Sequence, residues 1–203
     1  MTFWRTMCRW FAPKSPKPGA IIPMDEKQSQ SPRNRVSPLD EKQLGVESSV
    51  PPPESPDTPL WLKIALDKVG TREVSGPENN PDIVAFHAAV DGQGLADEIP
   101  WCASFVNWAL QQAGVPGTRS RLARSFLSYG KHCEPTLGCI VVLRRGEPWQ
   151  GHVGFYLGQR DEFVLLYGGN QSNSVRTSSY RKENVLDYRW PIIEAWLATK
   201  GIV

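Results

Sequence analysis

A cysteine at the start of a helix and a histidine at the start of a strand are the residues best placed here for covalent chemistry. Cys102 stands in Pro100-Trp101-Cys102-Ala103, just ahead of an apolar run, so its sulfur falls in a first helical turn. The unpaired N–H groups and positive dipole end found there favour thiolate over thiol. His152 stands in Gly151-His152-Val153-Gly154, where small residues flank the opening of a strand. A general base needs an exposed ring on a fixed backbone, and a strand end beside glycine provides both. An imidazole next to the thiol would form a thiolate–imidazolium pair. Each residue also has a plainer reading, because a cysteine one turn into a helix is often a small buried hydrophobe.

A third polar group must orient the imidazole and fix its tautomer. Asn170, in Gly168-Gly169-Asn170-Gln171, closes the strand after the one carrying His152, and an antiparallel return brings it back beside the histidine. Gln171 is the substitute for that role. Gly and Asn are also ordinary turn residues, so the segment reads equally as a turn. The oxyanion would meet the Cys102 N–H and a second donor that the sequence leaves open.

Trp101, Trp149 and Gln171 are the candidate substrate contacts, with Tyr167 beside them. Core packing explains Trp101 as well, whereas Trp149 lies in the polar loop 147–151. Glu73, Asp97 and Glu98 precede the catalytic helix and could meet a substrate amine, or simply solvate the loop. Of the other histidines, His87 reads as helix packing and His132 as loop surface. Cys8, Cys102, Cys133 and Cys139 have no zinc-like spacing, and no CxxC occurs. No metal or organic cofactor is expected. Cys133 and Cys139 could pair in an oxidising compartment.

Helices must come first and strands second. Thr58-Pro59 reads as cap and first helical residue, followed by Leu60, Trp61, Ile64, Ala65 and Leu66 at helical spacing up to Gly70. Asn80-Pro81 opens a second helix, a third runs from about Trp101 to Ala113, and a short fourth covers residues 121–129. Thereafter the period falls to two. CIVVL (139–143), HVGFYL (152–157), FVLLY (163–167) and the stretch 186–190 read as strands, with turns at 144–151 and 158–162. This is an α+β layout, with N-terminal helices packed on a small antiparallel sheet.

The chain has 203 residues, enough for one sizeable domain, and is 40% hydrophobic and 22% charged. Eleven of its eighteen prolines lie in residues 1–59 among Ser, Gln and charged residues. Such a stretch buries too little to offset the entropy of ordering, so 1–59 is expected to be a disordered arm and 60–203 the folded domain. The arm's tip carries Phe3, Trp4, Trp10 and Phe11, which fit a docking peptide, an interfacial helix or a frayed terminus. Arg5 and Arg9 interrupt any apolar stretch, so no standard secretory signal is expected. A formal charge of +2 and a pI near 8.4 are too mild to argue for nucleic acid.

Several motifs agree in order with one group of enzymes. Trp101-Cys102 on a helix, Gly151-His152-Val153-Gly154 on a strand and Gly168-Gly169-Asn170-Gln171 at the next strand end resemble the CHAP and NlpC-like papain-like cysteine hydrolases. Asn80-Pro81, Trp101–Asn107 (WCASFVN), Ala123–Phe126 (ARSF) and Tyr188–Pro191 (YRWP) are similar to a small CHAP-related branch. The resemblance spans about residues 60–191, and one departure is Gly138-Cys139 where many relatives carry Gly-Asp.

The resemblance implies a papain-like fold with Cys102 as nucleophile, His152 as base and Asn170 as the orienting group. It implies a peptidoglycan amidase or endopeptidase, acting in the periplasm or on the wall of a target cell. The expected partners are peptidoglycan, an immunity protein that plugs the Cys102 cleft, and a secretion or phage carrier that docks the N-terminal arm. A secreted antibacterial effector and a phage lysin both fit. The rivals are a papain-like deamidase or acyltransferase acting on protein, and a wall-binding module without turnover.

Overall fold

Local chemistry starts each helix. The computed structural model describes residues 57–192. The arm expected over 1–59, its aromatic tip included, falls outside the described residues up to residue 56. Helix α1 (Leu60–Leu66) is capped by Pro59, one residue later than expected, and its first amide bonds run from Leu62 and Lys63 to the Pro59 carbonyl. Helix α2 (Pro81–Asp91) begins as its sequence predicts. The Asn80 side chain accepts from the Asp82 N–H at 2.9 Å, Pro81 needs no donor at the first position, and Gly92 ends the helix at φ 84°. Helix α3 (Cys102–Gln112) follows Trp101 and stops before Gly114, which takes φ 73°. The expected fourth helix is a 3-10 turn, Ala123–Ser128.

Six antiparallel strands follow, in the spatial order β1-β6-β2-β3-β4-β5. They are β1 (Lys131–His132), β2 (Ile140–Arg144), β3 (Gly151–Arg160), β4 (Phe163–Gln171), β5 (Ser174–Arg181) and β6 (Val185–Trp190). Helices preceding an antiparallel sheet make this an α+β fold, as the sequence implies. Strand β5 escapes a sequence reading because SVRTSSYR is mostly polar. It forms through a two-residue hairpin, Ser172-Asn173, in which both residues take positive φ (50° and 59°) as a tight hairpin turn requires.

Alternation along the strands divides the apolar residues between two faces. Ile140, Val142, Val153, Phe155 and Tyr167 join the three helices in the main core. Cys139, Val141, Leu143, Tyr156, Val164 and Leu166 form a second cluster on the opposite face. The centre of the main core is aromatic, with Phe105 on α3 meeting Phe86, Trp108, Phe155 and Tyr167. The Tyr167 hydroxyl donates to the Leu66 carbonyl at 3.3 Å inside this core, so Tyr167 lines no groove.

Asn107 fixes the chain that leaves α3. Its amide donates to the carbonyls of Ala103 and Ser120 at 2.9 and 3.0 Å and accepts from the Arg119 N–H at 3.1 Å. The acids before α3 hold the loop in the same manner. Asp97 is fully buried and accepts from the N–H groups of Val74 and Asn80, and Glu73 accepts from the Trp101 indole at 2.8 Å. These two carboxylates position the start of the cysteine-bearing helix.

Candidate active site

Cys102 is the first residue of α3 and is nearly buried. Its sulfur meets the backbone N–H of Val153 on β3 and those of Ala103 and Cys102 itself. Burial nevertheless dominates and pushes the thiol above its ordinary range, against the pull of these N–H groups and of the Arg145 charge. His152, the residue before Val153, is also buried. Burial first and the Arg145 charge second push its imidazole down to about 4, against a weaker pull from the Gln171 side chain. Burial thus works against the expected thiolate–imidazolium pair at both of its ends.

The ring of His152 is held by two groups. Tyr180 on β5 lies against it, with ring centroids 5.4 Å apart and planes 34° from parallel. Gln171 supplies the polar partner that favours the protonated ring. The Gln171 amide is itself fixed, with its NH₂ facing the carbonyls of Leu166, Gly168 and Arg176 while its oxygen accepts from the Tyr180 hydroxyl at 2.9 Å. Among the described residues the Nε2 of His152 is buried with no hydrogen-bond partner. A buried polar atom left open is a natural place for a proton to be taken up, and catalytic contacts often tighten only when substrate binds.

Of the remaining expected residues, Asn170 lines the cleft beside His152, but among the described residues its side chain makes no hydrogen bond. The side chain that acts on the imidazole is that of Gln171, the substitute expected for the orienting role. Asn170 is there for its backbone. It takes φ +57°, a conformation that asparagine tolerates, where two residues of β4 (Gly169 and Asn170) stand opposite one of β5 (Val175). Trp101 contacts no substrate groove: it is fully buried between Phe86 and Phe105. Trp149 is exposed on the loop joining β2 to β3. His87 is a packing residue, buried with its Nδ1 at 3.0 Å from the Ser104 hydroxyl.

Two groups went unseen in the sequence. Tyr180 reaches the histidine only because β5 lies beside β4, and β5 itself is hard to read. Arg145 follows β2, and its charge acts on Cys102, His152 and Tyr180 together. The doublet Arg144-Arg145 after an apolar strand was the available signal. Cys133 and Cys139 are free thiols in mutual hydrogen-bonding contact. Among the described residues no cluster of three His, Cys, Asp or Glu is placed to hold a metal ion, and no helix is long and apolar enough to cross a membrane. No protein-family model matches the chain, and no curated protein is significantly similar to it.

Two expected results follow from this geometry. Because Gln171 and not Asn170 meets the imidazole, Gln171→Ala should lower turnover at least about tenfold more than Asn170→Ala. Equal losses in kcat would refute the assignment. The second concerns acid stability. The folded value of about 4 lies below the ordinary 6.5, so between them the unfolded chain binds a proton that the folded chain refuses. The contribution of His152 to stability is complete above about pH 6.5 and is lost as the pH falls towards about 4, amounting to roughly 3 kcal/mol. His152→Gln should flatten that part of the pH profile of denaturant unfolding. Superimposable profiles for variant and wild type would contradict it.

Proposed function

We propose that this chain is a papain-like cysteine hydrolase that cuts amide bonds of bacterial peptidoglycan. The observation that carries the reading is the meeting of Cys102 on α3 with the start of β3, where the Val153 N–H touches the sulfur and the preceding residue, His152, is braced by Gln171 and Tyr180. The order helix-cysteine, strand-histidine, next-strand amide supports the papain-like assignment, and the ordered motifs shared with CHAP and NlpC-like enzymes support the substrate.

As the Cys102 sulfur attacks the amide carbonyl, its proton passes to His152, which becomes imidazolium beside the Gln171 oxygen. The amide C–N bond breaks, the imidazolium gives its proton to the leaving amine, and the acyl group remains on sulfur as a thioester. Water then attacks the thioester with His152 taking its proton, and the thiol is restored as the carboxylic acid leaves. The backbone N–H groups at the first turn of α3 are positioned to stabilise the oxyanion of both steps.

Two partners belong to the same proposal. An immunity protein would cover the Cys102 cleft in a producing cell, and the N-terminal arm would dock a secretion or phage carrier that delivers the enzyme to the wall. Incubating the protein with purified sacculi tests the reading. Soluble muropeptides should appear, and intact sacculi after prolonged incubation would overturn it.

A further inference from the structure

A cleft of about 470 Å³, counting its open mouth, lies against His152. Its walls are Leu143, Arg144 and Arg145 from the end of β2, Asn170, Gln171 and Ser172 from the end of β4, Tyr180 and Asn184. The two arginines are exposed, and no acidic residue lines the cleft. Among the described residues neither guanidinium forms an ion pair with a carboxylate. The Asn170 and Asn184 amides and the Ser172 hydroxyl add neutral donors to the same wall. Acidic residues are as common in this chain as basic ones, 21 Asp and Glu against 23 Lys and Arg, so a cleft lined by two arginines and no acid departs from the overall balance.

We propose that Arg145, with Arg144, binds a free carboxylate of the substrate next to the scissile amide, so that the enzyme selects acidic peptides over their amidated forms. Guanidinium groups present paired donors that match a carboxylate, and unpaired arginines at the mouth of a cleft are placed to accept one. The position favours selection over mere attraction, because the cleft is bounded by the catalytic histidine itself. In peptidoglycan, such a group would be a stem-peptide carboxylate within a residue of the cut bond. That last identification rests on the proposed function, whereas carboxylate binding beside His152 does not.

Two alkylating agents of nearly equal size separate these claims. Iodoacetate carries a carboxylate and iodoacetamide a neutral amide, and the rate of each at the Cys102 sulfur is read by peptide mass spectrometry, which resolves it from Cys8, Cys133 and Cys139. The ratio of their rates cancels any change in the intrinsic reactivity of the thiol. Relative to Arg145→Met, the wild-type protein should favour iodoacetate about tenfold, and added salt should shrink the preference. Arg144→Met should show a smaller change in the same direction. Equal ratios in wild type and Arg145→Met overturn the carboxylate site.

The second arm compares stem-peptide fragments with free and with amidated carboxylates. Faster cleavage of the free acids by the wild type, and not by Arg145→Met, supports the site. Equal cleavage of both overturns it while leaving the hydrolase reading intact. An iodoacetate preference without cleavage of any fragment upholds the anion site and sinks the peptidoglycan reading.

Discussion

Replacing Cys102 by alanine should leave a protein that folds as before and releases nothing from sacculi. The loss of turnover should be at least about 10⁴-fold, since without the sulfur no thioester forms and only binding and oxyanion stabilisation remain. The fold should hold because the thiol is a small group whose neighbours are backbone N–H groups and the edge of an aromatic core, so stability should move by about 1 kcal/mol or less. Unfolding by denaturant, followed beside the sacculus assay, separates loss of chemistry from loss of structure. Undiminished release by a folded Cys102→Ala protein would remove the cysteine from the mechanism.

A second substitution should do damage by a different route. Gly169 lies where β4 presses on the start of α3, and a Cβ built there would sit 2.4 and 2.6 Å from two ring carbons of Trp101 and 2.8 Å from the Cβ of Phe105. The indole cannot yield, since its N–H is tied to Glu73 and its faces are packed by Phe86 and Phe105. Gly169→Ala must therefore move helix or strand, costing about 1–3 kcal/mol, and Gly169→Val should cost more. The same displacement shifts Cys102, the residue after Trp101, away from His152. A misplacement of about 1 Å at a reacting group costs on the order of 100-fold in rate, so Gly169→Ala should lose both stability and turnover. An unchanged unfolding midpoint and unchanged kcat would show that the contact is soft.

The contrast between Gly169 and Asn170 shows what could and could not be read from the chain. The placement of Cys102 at a helix start and of His152 at a strand opening was legible because each announces itself locally. The α+β layout was legible for the same reason, through caps such as Asn80-Pro81 and the change of period after residue 138. At Asn170 the sequence hides a backbone demand, a positive φ at a bulge, and it is the neighbouring Gln171 whose side chain acts on the imidazole. Trp101 appeared a plausible groove residue because nothing in its own segment reveals that Gly169, distant in sequence, makes room for its ring. Tyr180 and Arg145 reach the histidine only once strand order is set, and strand order depends on a polar strand that hydrophobic alternation does not mark.

The measurement that bears most directly on the central proposal is hydrolysis of sacculi in water enriched in heavy oxygen, with the fragments read by mass spectrometry. Wild-type protein should place a single heavy oxygen in each new carboxyl group and expose one new amine per cut, while Cys102→Ala releases no fragment. Absence of fragments from the wild type, or the same fragments from the alanine variant, would contradict cysteine-catalysed cleavage of peptidoglycan amides.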